Sequence, residues 1–144
     1  MPYCTLEDIL GRIEETTVVQ LTDDEGLGSI NTERVNAAIA DADQEIDGYA
    51  GTRYAVPMNP APPILRRLSI EIAIHNLFGR RSRKEPEDRT ERYKGAVDLL
   101  KQIAAGRFSL GPCDPDGNPP ASDAPQMAAE NPERNFTRSS MRDF

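Results

Sequence analysis

The side chains in this 144-residue sequence that could do chemistry are one histidine, two cysteines, one acidic turn, one acidic helical run and one basic run. His75 has no partner in sequence for acid–base or nucleophilic work, since no nucleophile elbow and no H-E-x-x-H pattern occurs. It lies mid-way along the most apolar helical segment and reads as a satisfied core or interface histidine. Cys4 and Cys113 are too few and too far apart for a disulfide framework or a zinc site, so both read as free thiols. Asp23, Asp24 and Glu25 precede Gly26 and Gly28 in the manner of a calcium loop. Such a loop alternates oxygen ligands over about 12 residues and closes on a Glu. Leu27 breaks that alternation, and the turn reads as solvation of a helix entry. Asp41, Asp43, Glu45 and Asp47 step around a helix without converging, which argues against a general acid and base pair. Arg80, Arg81, Arg83 and Lys84 would suit phosphate binding. Phe78 is the one aromatic nearby and no glycine-rich cradle accompanies them, so nucleic-acid recognition is not favoured. No catalytic residue, metal or cofactor is expected.

The elements that must carry these residues are helices. Thr5 precedes Leu6, Ile9, Leu10 and Ile13 at helical spacing, with Asp8 placed for a capping box. A turn-rich stretch follows from Leu21 to Ile30. Asn31 or Thr32 then caps a long helix whose stripe is Val35, Ile39, Ala42, Ile46 and Tyr49, ending near Gly51. Four prolines in RYAVPMNPAPP forbid its continuation. Pro62 and Pro63 suit the first turn of a third helix, where a missing N–H costs nothing. Its apolar residues, from Ile64 to Phe78, wrap most of the circumference and predict a central, buried helix. A charged loop, GRRSRKEPEDR, leads to a fourth helix striped by Tyr93, Ala96, Val97, Leu100, Ile103 and Ala104, with Gly106 as its stop. Brief pairing of residues 53–56 or 107–110 is the only strand signal.

Composition limits what this chain can fold. After Leu110 the remaining 34 residues contain no Leu, Ile or Val but hold 6 of the 12 prolines. Such a segment cannot bury enough apolar surface to offset the entropy of ordering. The expected fold is all-α, a compact helical bundle of about four helices over residues 1–111, followed by an extended, proline-rich tail over residues 112–144. No apolar run approaches the roughly 20 residues of a membrane span, and MPYCTLEDIL lacks a secretory signal pattern. A soluble protein that stays in the cytoplasm where it is made is the expectation, with no membrane partner.

Charge is distributed unevenly along the chain. Residues 1–50 carry 12 acidic and 2 basic residues, a balance of −10, whereas residues 51–111 carry 6 and 12, a balance of +6. A subunit of this kind can stack an acidic flank on a neighbour's basic flank. With Arg80, Arg81 and Arg83 read as exposed loop charges, reversing them should impair assembly more than folding.

The order of these parts resembles the small head-tail connector proteins of Mu-like phages and prophages, over nearly all of residues 3–111. The pieces that carry the resemblance are Ile46, Asp47, Tyr49, Arg53, Tyr54 and Pro57, then Gly106 with Leu110 and Gly111. Arg134, Phe136, Arg138, Met141 and Phe144 reproduce the family's spaced ending. Two places depart from the family pattern: Ile74 and His75 stand where relatives carry an Arg-Tyr pair, and Ala50 where they carry a leucine. The resemblance implies an all-helical structural virion protein of the neck, at the head-tail interface, assembled in the host bacterial cytoplasm. It would form a ring, typically dodecameric, beneath the portal protein and above the next neck or tail protein, a stopper or tail terminator. Genomic DNA would pass through without sequence-specific binding.

Within that picture, Asp41, Asp43, Glu45 and Asp47 could supply an acidic lumen face. Asp47, Tyr49, Arg53, Tyr54 and Pro57 would make inter-subunit or portal contacts, and Arg80, Arg81, Arg83 and Lys84 would form a basic flank. Phe136, Met141 and Phe144, oriented by Arg134, Arg138 and Arg142, would dock the tail on the portal or an adjacent subunit. The alternative is a prophage-encoded or cellular scaffold module that binds a protein partner through the same tail.

Overall fold

The helix from Pro63 to Arg80 is buried on every side through its middle: each residue from Leu68 to Ile74 is shielded from solvent. A computed structural model describes residues 1–81 and 83–111. The tail assignments, with Cys113, lie outside the described residues. Five helices are present: α1 (Leu6–Leu10), α2 (Glu15–Thr22), α3 (Thr32–Ala50), α4 (Pro63–Arg80) and α5 (Glu87–Ala104). Among the described residues there is no strand, so neither short pairing forms.

α3, α4 and α5 pack on one another, with α3 against α4 the most extensive contact, while α1 and α2 each cover both α3 and α4. Ile39, Ala42 and Ile46 of α3 and Leu100 and Ile103 of α5 meet Leu65, Leu68, Ile72 and Leu77 of α4 in one core. Each fully buried aliphatic side chain there contributes about 1.5–3 kcal/mol.

The helix ends follow local chemistry. Thr5 and Asp8 form the expected capping box on α1, Asn31 caps α3 by accepting from the Arg34 N–H, and α4 starts at Pro63. Gly106, at φ 75°, turns the chain after α5. α2 is the element that periodicity did not announce. Its sequence, ETTVVQLT, has four adjacent β-branched residues of modest helix propensity. Burial of Val18, Leu21 and Thr22 at i, i+3, i+4 spacing makes it helical through tertiary packing. Among the described residues no helix is long and apolar enough to cross a membrane.

Candidate interaction surface

The basic run is not a set of free loop charges. Arg80 closes α4 and forms a fork on Asp24, with contacts of 2.9 and 2.7 Å, while also donating to the Leu21 carbonyl. Arg81 donates to Asp24 through Nε at 2.6 Å and to the carbonyl of Asp23. Arg34 of α3 reaches Asp24 at 3.1 Å and Glu25 at 2.9 Å. These hydrogen bonds, led by Arg80, hold the Asp24 carboxyl well below its ordinary range. Arg83 contacts the Gln20 side chain, and Lys84 is exposed and meets no described residue. Arg80 and Arg81 of the expected flank therefore form an internal lock. It fastens the α2–α3 turn to the end of α4, which overturns the premise that Arg80 and Arg81 are free loop charges whose reversal would affect assembly more than folding.

The same turn is braced from within. The Asp23 carboxylate accepts the N–H groups of Leu27 and Gly28 at 3.0 and 2.7 Å, which lowers its pKa. Gly26 and Gly28 take the positive φ values, 75° and 72°, that let the chain fold back over that carboxylate.

The four acids of α3 do not share one open face. Asp43 accepts from the Ser69 hydroxyl at 2.7 Å and from the Tyr3 N–H at 3.0 Å. Asp47 accepts from the Tyr3 hydroxyl at 2.5 Å. Glu45 is turned toward the Tyr93 hydroxyl, and of the four Asp41 alone is exposed. Two of the expected lumen acids thus secure the N-terminal segment across α3 and α4. The signal missed in the sequence was Tyr3, a buried tyrosine whose hydroxyl also accepts the Met58 N–H.

Asp43 is held in an awkward setting. Burial raises its pKa, opposed by its hydrogen bonds to Ser69 and Tyr3. A carboxyl whose folded pKa lies above its unfolded value favours folding most below the unfolded value and loses that advantage as pH rises. Asp43→Asn keeps an acceptor for Tyr3, and Ser69 can turn its hydroxyl to the Cys4 sulfur, 3.1 Å away. The variant is expected to be as stable as the parent or more so at pH 7, by up to about 1 kcal/mol. That margin should shrink on acidification toward pH 4, which urea titrations at the two pH values measure.

The Tyr49-to-Pro57 segment is tied inward in part. Tyr54 is buried, and its hydroxyl accepts the Leu110 N–H at 3.2 Å, holding the chain beyond α5 to the end of α3. Arg53 lies over Gly106, where a Cβ would run into its guanidinium. Tyr49 packs half-buried on the core and Pro57 is exposed. His75 is satisfied as expected: Nδ1 is 2.7 Å from Glu85, and the ring stacks on Tyr93 at 3.7 Å.

A cleft of about 770 Å³ between α4 and α5 was invisible in the sequence. Its floor is apolar, made by Ile64, Leu68, Ala96 and Leu99, and its rim carries Arg12, Arg67 and Arg92. Glu71 is buried at its side, 3.6 Å from Arg89 and 3.9 Å from Arg92. Arg12 and Arg67 are exposed and their guanidinium groups pair with no described residue, while the Arg12 carbonyl accepts from Arg89 at 2.7 Å. Among the described residues no group of three or more His, Cys, Asp or Glu is arranged to hold a metal ion.

Comparisons with known proteins place this helical body. The model of the family described as Bacteriophage Mu, Gp36 matches residues 3–129. The Mu-like prophage FluMu protein gp36 of Haemophilus influenzae is 30% identical over 114 residues, 79% of each chain. Gene product J of Escherichia phage Mu is 29% identical over 112 residues, 77% of each chain. A match over this much of the chain takes in all five helices and the tie between Tyr3, Asp47 and Met58: the chain belongs to the Bacteriophage Mu Gp36 family.

Proposed function

We propose that this chain is a structural virion protein of a Mu-like phage or prophage, a head-tail connector that forms a ring below the portal and joins the capsid to the tail. The observation that carries the reading is the Gp36 family match over residues 3–129, to which the connector resemblance of the Asp47-to-Pro57 and Gly106-to-Gly111 segments adds the role. The physical character of the body supports it. Its three long helices share one apolar core, and its surface offers on one groove arginine side chains that pair with no described residue, and exposed acids such as Glu33 and Asp41 elsewhere. Subunits with two different complementary patches associate head to tail, and such contacts close into rings when the rotation allows. The portal protein and the next neck or tail protein are its partners above and below. Twelve copies, with the aromatic end of the tail as a second attachment point, complete the proposal.

DNA has to slide through such a ring, so a channel without gripping phosphate contacts is required. With Asp43 and Asp47 engaged by Tyr3, the exposed acids left on α3 for that task are Glu33 and Asp41. Reconstruction of the neck from particles carrying this chain tests the proposal. A closed ring of copies beneath the portal is expected. A single copy, an open filament or absence from the neck would overturn it.

A further inference from the structure

Leu27 stands out on the surface. It is 75% exposed, the most exposed large hydrophobic residue among those described apart from Met1. One exposed leucine is ordinary on a mobile loop, but this one sits on a turn held at both ends. Asp23 binds the Leu27 and Gly28 N–H groups from below, and Arg34, Arg80 and Arg81 fasten Asp24 and Glu25 to α3 and α4. The leucine is thereby presented at little conformational cost, which is what a docking knob needs.

The α4–α5 cleft has the complementary character. Its apolar floor matches a branched aliphatic side chain, and the guanidinium groups of Arg12 and Arg67 on its rim pair with no described residue. On the turn, the Asp23 carboxylate accepts backbone N–H groups, and the Glu25 side chain is 53% exposed although Arg34 holds one of its oxygens, so both carboxylates keep acceptor capacity beside the leucine. Knob and cleft cannot meet within one molecule. The turn is fastened at Arg80 and the cleft is centred near Arg67, about 20 Å back along α4.

We propose that Leu27, with Asp23 and Glu25 beside it, docks into the α4–α5 cleft of a second copy of this chain, its side chain on Leu99 and the edge of Leu68 and the carboxylates against Arg12 and Arg67. The contact is heterologous, since each copy offers the knob at one end of α4 and the cleft toward the other, and repetition propagates it around a ring. This rests on the connector reading for its setting, and it names the surface by which neighbouring copies would touch.

Cross-linking of the full chain tests it. Leu27→Cys combined with Gly95→Cys places one thiol on the knob and one at the cleft, where a Cβ on Gly95 meets nothing within 4 Å. Cys113→Ser removes the thiol of the tail. Oxidation should give a ladder of covalent oligomers, in assembled necks and in concentrated free protein, that chains with only one of the two introduced cysteines beside the buried Cys4 lack. Leu27→Asp, exposed and therefore without effect on folding by circular dichroism, should lower incorporation into necks by about tenfold or more, and Arg12→Glu with Arg67→Glu should do the same. A reconstructed ring with no ladder and normal incorporation of Leu27→Asp overturns the docking assignment and leaves the connector reading standing. A ladder without a ring in the neck overturns the connector reading and leaves the docking standing. A ladder in neither sample overturns the docking.

Discussion

Ile72→Ala is expected to destabilise the protein by about 2–5 kcal/mol, measured as a shift in the urea unfolding midpoint at unchanged slope. Ile72 is fully buried and lies at the middle of the stretch of α4 that is covered all round. Removing its side chain strips contacts in a core to which both neighbouring long helices contribute, and the surroundings cannot collapse from two sides at once. A domain of this size has about 5–15 kcal/mol in total, so the variant should unfold at a markedly lower urea concentration. The comparison residue is Ile64, on the same helix but only partly buried at the cleft, where truncation should cost clearly less. Equal effects at the two positions would show that Ile72 is no more tightly enclosed than Ile64 at the cleft.

Arg80→Glu with Arg81→Glu should loosen the α2–α3 turn, raising amide exchange and protease cleavage in residues 23–31 and lowering the thermal midpoint. Both guanidiniums converge on Asp24, and together they also hold the carbonyls of Gln20, Leu21 and Asp23. Reversal replaces these charge-assisted bonds with repulsion and leaves those carbonyls without their donors. Lys84→Glu, at a site that meets no described residue, should change neither readout. The effect has a pH signature. Asp24 titrates below its ordinary value in the folded protein, so the lock stabilises above that value and its contribution is lost as pH falls toward the depressed one. The gap between parent and double variant should therefore narrow on acidification. A double variant with unchanged exchange over residues 23–31 would mean that the lock does not hold the turn.

How much was legible beforehand depended on the range of the physics involved. The all-α class, the capping box at Thr5, the proline-led start of α4 and the glycine stop after α5 are local: propensity, capping and periodicity act within a few residues of the chain. The central position of α4 was legible for the same reason, because a helix apolar on all faces has only one place to go. Even the satisfied state of His75 could be anticipated from its surroundings, though not its partners Glu85 and Tyr93.

What sequence could not determine was set by pairs of residues far apart in the chain. Arg80 and Arg81 look like a basic patch until folding brings them to Asp24, 56 and 57 residues earlier. Asp43 and Asp47 look like an acidic face until Tyr3 arrives across them, 40 and 44 residues away. α2 has little periodic signal of its own and becomes a helix because Val18 and Leu21 find cover in the common core. The cleft exists only because two helices leave a groove between them, with Arg12 from a third segment at its edge. Charge counts along a chain are fixed by sequence, but which charges remain unpaired is decided by tertiary structure, since an ion pair depends on separation in space and not on separation along the backbone.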